Sequence, residues 1–396
     1  MKEKSKKISF AVKFISSLIA MCLLLGSLTY AEKNADNVSD ETYPDLGLTC
    51  KSAVLMEAVS GKVLYARNAD EALPPASVTK IMTLLLVMEA IDSGKLSYTD
   101  TVTASANAAS MGGSQIFLKE GESMTVEDLL KSVVIASAND AAVALAEHIA
   151  GSEGAFVAKM NDRAKELGLL STHFENTNGL DDTVTNHVTS AYDIAVMSRE
   201  LIKHRRILEY SSIWMDTIRN GSFGLTNTNR LVRFYKGATG LKTGSTSKAK
   251  FCVSATACRD GMDLICVIMG ADSRDIRNDE AKRLLDWGYA NYELFRYEAE
   301  DLGDLKVVGG VSSSARAEIG EFTCVVKKGE RVKIRKTIQL SEELAAPLHS
   351  GDKIGGIEFS IDGSRLGRVD IICKTDVEKI SFLQLWIRML RGFFLK

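Results

Sequence analysis

The sequence predicts a mixed α/β (α+β) domain, followed by a small all-β domain and a C-terminal amphipathic helix. Three observations support this fold class. Helical stretches and strand-like runs are mixed as far as Trp287-Gly288, whereas short alternating runs separated by turn residues follow beyond about Glu298. The end of the chain is a stripe of polar side chains with helical spacing on a very apolar segment. A length of 396 residues is compatible with about two domains.

The N-terminus predicts a secretory signal peptide. Lysines between positions 2 and 13 precede an apolar stretch from Phe14 to Leu28, and Thr29-Tyr-Ala31 offers a cleavage site before Glu32. The apolar stretch is shorter than the ~20 residues that span a bilayer, although an uncleaved anchor is the alternative. We expect a signal peptide over residues 1–31, a linker over 32–44 and an extracytoplasmic mature protein.

Three short strings predict attack on a carbonyl group by a serine. They are Ser77-Val-Thr-Lys80, Ser137-Ala-Asn139 and Lys242-Thr-Gly244. Ser77 and Lys80 are three residues apart, so at the start of a helix they share one face, and an unprotonated lysine can accept the serine proton. The run from Ile81 to Met88 is apolar all round, which predicts a buried helix and surroundings that disfavour the charged amine. For an isolated string, a helix cap and a solvated charge would be the alternative.

Ser137 and Asn139 fall between two apolar helical stretches, at 126–135 and 140–149. A loop at this place can present a hydroxyl and an amide to a cleft, while helix capping is the alternative interpretation.

Lys242 is expected to begin a strand that continues through 251–254 and turns at Arg259-Asp-Gly261 into 264–269. An extended substrate can pair along such a strand, and Gly244 is needed because a side chain there would block close approach. Lys242 should raise the local positive potential and help to keep Lys80 neutral.

Further strings around these motifs resemble those of a known family. They are Ser114-Gln-Ile-Phe117, Asn178-Gly-Leu-Asp181, Thr189-Ser-Ala-Tyr-Asp193 and Leu284-Leu-Asp-Trp-Gly288. From about Lys51 to Tyr289 the chain resembles the low-molecular-mass penicillin-binding proteins, specifically the serine-type D-alanyl-D-alanine carboxypeptidases of peptidase family S11. The three motifs are shared with serine β-lactamases and transpeptidases, and the flanking strings indicate the carboxypeptidase branch. The resemblance implies a β-lactamase-like transpeptidase domain, expected over residues 45–296.

The resemblance also implies catalytic roles. Ser77 would attack the carbonyl of the penultimate residue of a peptidoglycan stem peptide ending in D-Ala-D-Ala, with Lys80 as the base. Ser137 would relay the proton to the leaving nitrogen, and Asn139 would hold Lys80 and the substrate amide.

Recognition of the substrate is expected from a second set of residues. They are Asn139, Lys242, Thr243, Gly244, Ser245 and Arg277. Thr243 and Arg277 would bind the terminal carboxylate, although Arg274 is an alternative to Arg277. The backbone amides of Ser77 and Ser245 would form the oxyanion hole.

Deacylation separates the competing enzymes. The β-lactamases that use a separate glutamate base carry it in the pattern Glu-x-x-Leu-Asn. Glu175-Asn-Thr-Asn178 lacks that leucine and spacing, so β-lactam antibiotics are expected to be slowly released covalent inhibitors. A β-lactamase or esterase on the same scaffold and a non-catalytic cell-wall-binding protein are the alternatives.

Residues 297–374 are expected to form the small all-β domain. The alternating runs lie at 306–308, 324–326, 332–334 and 369–372. Asp362-Gly363 predicts a hairpin between Ile357–Ile361 and Arg365–Cys373. The resemblance implies that this domain holds the catalytic domain off the membrane.

Residues 375–396 are expected to form a helix that binds the membrane surface. Its polar residues recur every three or four positions and are Ser381, Gln384, Arg388 and Arg391. In the interface such a helix buries its aromatic face while Arg388, Arg391 and Lys396 meet anionic headgroups. A terminal helix docked on the protein is the alternative. The family often ends in such an anchor, which predicts peripheral attachment to the outer face of the cell membrane.

The composition argues against other classes of function. The formal net charge is −2 and no basic block occurs, so no nucleic-acid partner is expected. The cysteines are too few and too scattered for a disulfide framework, and neither Cys-x-x-Cys nor His-x-x-x-His is present. We therefore expect no metal site and no cofactor.

Overall fold

The first part of the chain is built around a five-stranded antiparallel sheet. The structure is a computed structural model that describes residues 43–340 and 343–394. The helices are α1 (Lys80–Asp92), α2 (Ala106–Ala109), α3 (Val126–Ile135), α4 (Asn139–Ala150), α5 (Glu153–Glu166), α6 (Ala191–Lys203), α7 (Arg206–Ser211), α8 (Leu231–Phe234), α9 (Arg274–Asn291) and α10 (Phe382–Phe394). The strands are β1 (Ser52–Glu57), β2 (Val63–Arg67), β3 (Thr101–Thr103), β4 (Ser123–Thr125), β5 (Met215–Ile218), β6 (Phe223–Thr226), β7 (Ala238–Thr246), β8 (Lys250–Arg259), β9 (Met262–Ala271), β10 (Tyr292–Tyr297), β11 (Glu300–Val308), β12 (Ser314–Ile319), β13 (Phe322–Lys327), β14 (Arg335–Leu340), β15 (Leu344–Ala345), β16 (Lys353–Ile361) and β17 (Ser364–Cys373). The predicted signal peptide, most of the predicted linker and Lys396 lie outside the described residues.

The sheet has the order β2-β1-β9-β8-β7 and carries helices on both faces. Side chains alternate between the faces of a strand, so Val253 and Ala255 of β8 face α9, whose Leu284 and Leu285 share their buried cluster. Ser254 points the other way and shares a 2.7 Å hydrogen bond with Ser198 of α6. Because β7 is the last strand in this order, it presents a strand edge.

α1 is buried on nearly every side, as its apolar run predicts. Ile81, Met82, Leu84 and Leu85 are all buried, and α1 contacts α4, α5 and α6. The 3₁₀ turn at Ala76–Thr79 leads directly into α1. The helix therefore begins inside the protein, and the first side chains of the helix are directed away from water.

Two predicted strand boundaries are wrong. Lys242 lies in the middle of β7, and residues 251–254 belong to a separate strand, β8, paired with β7 through Thr246 and Lys250. The turn between them contains no glycine, proline or asparagine, and it is closed by a 3.0 Å hydrogen bond from the Ala249 N–H to the Thr246 hydroxyl. The predicted hairpin at Arg259-Asp-Gly261 is confirmed, since Arg259 pairs with Met262.

The C-terminal region is an all-β unit, as predicted. A six-stranded sheet has the order β14-β16-β17-β12-β11-β15, and β10 pairs with β13. The hairpin at Asp362-Gly363 is confirmed, since both residues have positive φ and Ile361 pairs with Ser364. The predicted strand at 332–334 is wrong, because Arg331–Lys333 forms a 3₁₀ turn whose side chains are exposed.

α10 ends the described chain, and its apolar side chains between Phe382 and Leu390 are exposed to solvent. Phe382 is 81% exposed and Trp386 is 56% exposed. Arg388 differs from the prediction, because its guanidinium donates hydrogen bonds to the carbonyls of Gly310 and Val311 in the β-unit. The polar stripe thus faces the protein at this point, while apolar side chains face outward.

Candidate active site

The Ser77 hydroxyl lies 2.9 Å from the Lys80 Nζ atom. Ser77 is in the 3₁₀ turn and half-buried, whereas Lys80 is the first residue of α1 and fully buried. The turn is unusual because Ala76, which has a Cβ, has a φ of 47°. This conformation presents Ser77 at the surface of the cavity with its neighbour Lys80 behind it.

Two oxygen atoms bind the Lys80 amine in addition to Ser77. Nζ lies 2.5 Å from Asn139 Oδ1 and 2.8 Å from the Asn178 carbonyl oxygen. Burial lowers the pKa of Lys80 well below its usual range, and the positive charge of Lys242 lowers it further. A neutral amine has two N–H groups and one lone pair. The two oxygens accept the N–H groups, so the lone pair is available to the Ser77 hydroxyl.

Ser137 and Asn139 occupy the junction between α3 and α4, as the sequence predicts. Ser137 has a φ of 63° and its hydroxyl-bearing side chain lines the same cavity as Ser77. The Asn139 amide nitrogen Nδ2 donates to the Gly112 carbonyl at 2.7 Å, and its backbone N–H donates to the Ser114 carbonyl at 2.7 Å. Asn139 therefore connects Lys80 to the loop that precedes Ile116.

Lys242 is buried and does not reach into the cavity. Its Nζ atom donates to the carbonyl of Thr243 at 2.8 Å. Burial, followed by the charge of Arg277, lowers the pKa of Lys242 to about 7. The Lys242 charge that opposes protonation of Lys80 is consequently present in full only on the acidic side of neutrality.

Gly244 brings β7 against the 3₁₀ turn that contains Ser77. A Cβ at this position would lie 2.8 Å from both the Pro75 carbonyl oxygen and the Ser77 backbone nitrogen. Any side chain would push the strand away from Ser77. The close approach that Gly244 allows is therefore to the backbone around Ser77, and Ser245 follows it on the exposed side.

Arg277 is buried in the first turn of α9. The helix begins at a Ser273 cap, whose hydroxyl accepts from the Ile276 N–H at 3.1 Å. The guanidinium donates to Asn278 Oδ1 at 2.9 and 3.1 Å and to the Cys252 carbonyl. Burial lowers the pKa of Arg277 to about 10. Within the described part of the chain, no carboxylate forms an ion pair with it, while Arg274 lines the same cavity from the exposed side.

A cavity of about 620 Å³ joins these elements. Six of the predicted residues line it, and they are Ser77, Ser137, Thr243, Gly244, Ser245 and Arg277. The other three, Lys80, Asn139 and Lys242, lie buried behind them. The described residues that line the cavity include serines, threonines and arginines but no aspartate or glutamate.

Sequence reasoning missed two contributors. Asn178 acts through its backbone carbonyl, which no residue type identifies. The adjacent Asn-Gly pair was a usable signal, because Gly179 has a φ of +83° and a Cβ there would lie 1.8 Å from the Ala76 carbonyl oxygen. Thr228 also lines the cavity, and it accepts a 2.8 Å hydrogen bond from the Thr243 hydroxyl.

Comparisons with known proteins identify the family. Residues 38–273 match the family model for D-alanyl-D-alanine carboxypeptidase, and residues 302–379 match that for the penicillin-binding protein 5 C-terminal domain. The D-alanyl-D-alanine carboxypeptidase DacF of Bacillus subtilis (strain 168) is 41% identical over 379 residues, which cover 94% of this chain and 96% of that relative.

Solved structures give the same result. Penicillin-binding protein 5 from Haemophilus influenzae has a TM-score of 0.74 and 33% identity, covering 86% of this chain and all of that one. Penicillin-binding protein D2 from Listeria monocytogenes, in an ampicillin-bound form, has a TM-score of 0.58 and 32% identity over 62% of this chain and 100% of that one. The predicted fold class and family are confirmed. The chain belongs to the D-alanyl-D-alanine carboxypeptidases of serine peptidase family S11.

Proposed function

We propose that this carboxypeptidase removes the terminal D-alanine from peptidoglycan stem pentapeptides through an acyl-enzyme on Ser77. One observation carries the assignment of the nucleophile. The Lys80 amine is buried, its two N–H groups have oxygen acceptors, and its lone pair has the Ser77 hydroxyl 2.9 Å away. Lys80 is therefore suited to accept the Ser77 proton at neutral pH.

In acylation, Ser77 Oγ attacks the carbonyl carbon of the penultimate D-alanine and its proton passes to Lys80 Nζ. The oxyanion that forms is stabilised by the backbone N–H groups of Ser77 and Ser245, each donor typically contributing ~3 kcal/mol. The contact of Gly244 with the Ser77 backbone supports this pairing of donors. Ser137 then donates its proton to the leaving nitrogen and takes up the proton held by Lys80 Nζ. The C–N bond breaks, D-alanine departs, and Lys80 is neutral.

In deacylation, a water molecule attacks the ester carbonyl while Lys80, neutral again, accepts a proton from that water. The C–O bond breaks and Ser77 recovers its proton. No carboxylate stands among the described residues that line the cavity. The Glu175 carboxylate is occupied by the backbone N–H groups of Thr185 and Asn186. The lack of a carboxylate base among these lining residues supports slow release of penicillins from the acyl-enzyme.

Recognition of the substrate depends on β7 and α9. The outer edge of β7 has no partner strand among the described residues and suits an extended peptide, which adds backbone hydrogen bonds alongside Gly244 and Ser245. Thr243 and Arg277 bind the terminal carboxylate, because Arg277 is a buried cation whose described partners are an amide and a backbone carbonyl. Lys242 contributes positive potential from behind the strand. Asn139 holds Lys80, because its side-chain amide accepts from the Lys80 amine and donates to the Gly112 carbonyl.

The enzyme acts outside the cell, attached to the outer face of the cell membrane through α10. Its catalytic domain spans residues 45–296, the β-domain 297–374 and the anchor 375–396. Two buried clusters support the division, one formed by residues between 48 and 289 together with Val325, and the other by residues between 307 and 377. None of the described helices is both long and apolar enough to cross a bilayer. The exposed apolar side chains of α10 support binding in the plane of the membrane interface instead.

Covalent labelling with a fluorescent penicillin tests the nucleophile. The protein should be labelled on Ser77, Ser77→Ala should abolish both labelling and D-alanine release, and Ser222→Ala, an exposed serine on the β5–β6 turn, should retain both. Mass spectrometry of the trapped adduct identifies the residue. An adduct on Ser137 or Ser245 would overturn the assignment, and rapid turnover of the label would indicate a β-lactamase.

A further inference from the structure

Thr228 lies in a rigid loop between β6 and α8. Both of its neighbours are buried asparagines whose side chains bind other elements. Asn227 Nδ2 donates to the Ser211 carbonyl at 3.1 Å, and Asn229 Nδ2 donates to the Gly240 carbonyl at 2.8 Å. The loop is thereby fixed to the end of α7 and to β7, so the Thr228 backbone has little freedom.

Thr228 itself connects two walls of the active site. Its backbone N–H donates to the carbonyl of Ile135, the last residue of α3, at 3.1 Å. Its hydroxyl lies 2.8 Å from the hydroxyl of Thr243 on β7. It is half-buried and lines the same cavity as Ser77. The Thr228 hydroxyl is therefore held in a fixed position beside a side chain proposed to bind substrate.

The direction of one proton decides what Thr243 can do. In the structure the Thr243 hydroxyl donates to Thr228. A threonine hydroxyl has a single proton and two lone pairs, so Thr243 donates to a carboxylate only when that proton turns away from Thr228. The proton of Thr228 can then take its place, because the two oxygens are already at hydrogen-bond distance. A chain of donors from Thr228 through Thr243 to the carboxylate results, and each bond polarises the next.

We infer that Thr228 is a positioning residue that orients the Thr243 hydroxyl toward the terminal carboxylate of the substrate. The inference rests on the proposed function, in which Thr243 and Arg277 bind that carboxylate. Arg277 supplies positive charge from a buried site. The hydroxyls of Thr228 and Thr243 fix the direction of the hydrogen bond that Thr243 donates to the carboxylate. A side chain of the same shape but without a hydroxyl at position 228 cannot donate to Thr243. One lone pair of the Thr243 hydroxyl then has no donor when the substrate is bound.

The test compares Thr228→Val, which keeps the shape, with Thr228→Ser, which keeps the hydroxyl. Thr217→Val, an exposed strand threonine on the neighbouring β5–β6 hairpin, is the matched control. For each variant, kcat and KM are measured on a D-Ala-D-Ala peptide with a free C-terminus and on the same peptide with a C-terminal amide.

Thr228→Val should lower kcat/KM for the free acid about tenfold, the factor expected for one lost hydrogen bond to a buried group, mainly through a higher KM. Its activity on the amide should change less than about twofold, and Thr228→Ser and Thr217→Val should stay near the wild type on both substrates. Equal losses on both substrates, a loss in Thr228→Ser as large as in Thr228→Val, or no loss in Thr228→Val would each overturn the inference.

The same protein preparations separate this inference from the proposed function. All three variants should label on Ser77 with saturating fluorescent penicillin, because the nucleophile and base are unchanged. Absence of Ser77 labelling or of D-alanine release in the wild-type protein contradicts the proposed function, whatever the Thr228 variants do. Normal labelling with an unchanged ratio of free-acid to amide activity in Thr228→Val contradicts only the role of Thr228.

Discussion

The backbone carbonyl of Asn178 lies 2.8 Å from Lys80 Nζ, although the two residues are 98 positions apart in the chain. Together with Asn139 Oδ1 it provides two acceptors for the two N–H groups of a neutral lysine. The remaining lone pair is directed at the Ser77 hydroxyl. Under the proposed function, this arrangement accounts for activation of the serine without a histidine. It also makes the proposed base dependent on a segment far from the Ser-x-x-Lys motif.

Replacement of Lys80 by arginine tests the neutral base. Arginine keeps a positive charge but remains protonated, so acylation by penicillin should fall by the ~10² to 10⁴-fold typical of lost general-base catalysis. The second-order rate of labelling measures the effect. Lys95→Arg, an exposed lysine just beyond α1, is the control and should label at the wild-type rate. A normal rate in Lys80→Arg would show that positive charge alone is sufficient.

Arg277→Ala should remove the advantage of a free C-terminal carboxylate. Loss of a charge-assisted hydrogen bond typically costs roughly 10- to 100-fold, so kcat/KM should fall by that factor for a D-Ala-D-Ala peptide and much less for its C-terminal amide. Steady-state kinetics on the two peptides provide the measurement. Arg274→Ala tests the alternative carboxylate ligand. Equal losses on both peptides in Arg277→Ala, combined with a selective loss in Arg274→Ala, would move the role to Arg274.

The sequence was most informative where chemistry depends on side chains at short spacing. Ser77 and Lys80 are three residues apart, and the 3₁₀ turn followed by α1 brings them together as predicted. Contributions from the backbone had no such signature. The carbonyl of Asn178 and the positive φ of Gly179 depend on how a distant loop packs against Ala76.

Local turn chemistry explains the errors in strand boundaries. The turn between β7 and β8 closes through Ala249 and Thr246 rather than through glycine, proline or asparagine, so the sequence predicted one continuous strand. At 332–334 the alternation of apolar and charged residues suggested a strand, but no partner strand covers it among the described residues and Val332 is 90% exposed. Arg388 was predicted to face lipid. The spacing of the polar residues places Arg388 on the polar face of the helix, but it does not show what that face contacts, which in the structure is Gly310.

His187 should make the protein less stable in mild acid. Its Nδ1 accepts from the Glu175 N–H at 3.0 Å, so Nε2 carries the proton and donates to the Thr79 hydroxyl at 2.7 Å. Burial lowers the pKa of His187 to about 4 from an ordinary value of about 6.5. Between those values the unfolded chain binds a proton that the folded chain does not, so stability falls as the pH falls through this window.

The expected contribution of His187 is about 2 kcal/mol of lost unfolding free energy between pH 7 and pH 5. Denaturant titrations at the two pH values measure it. His187→Gln removes the titrating group and should reduce the pH dependence by that amount, whereas His349→Gln, an exposed histidine of the β-unit, should not. An unchanged pH dependence in His187→Gln would mean that His187 takes up its proton at the same pH in the folded and in the unfolded protein.

Truncation after Ile380 should release the mature enzyme from membranes without loss of turnover on a small soluble peptide. This end point keeps the hydrogen bond from the Ile380 N–H to the Gly309 carbonyl at 2.8 Å, and it removes the exposed apolar side chains of α10.

Phe382→Ser combined with Trp386→Ser should weaken vesicle binding in the full chain, because burial of aromatic side chains drives binding at the interface. Binding should also rise with anionic lipid and fall in salt through Arg391, since Arg388 is engaged with Gly310 and Val311. Sedimentation with vesicles measures both effects. If the truncated protein still sediments with vesicles after its signal peptide has been cleaved, or if it unfolds, α10 is a docked structural helix rather than an anchor.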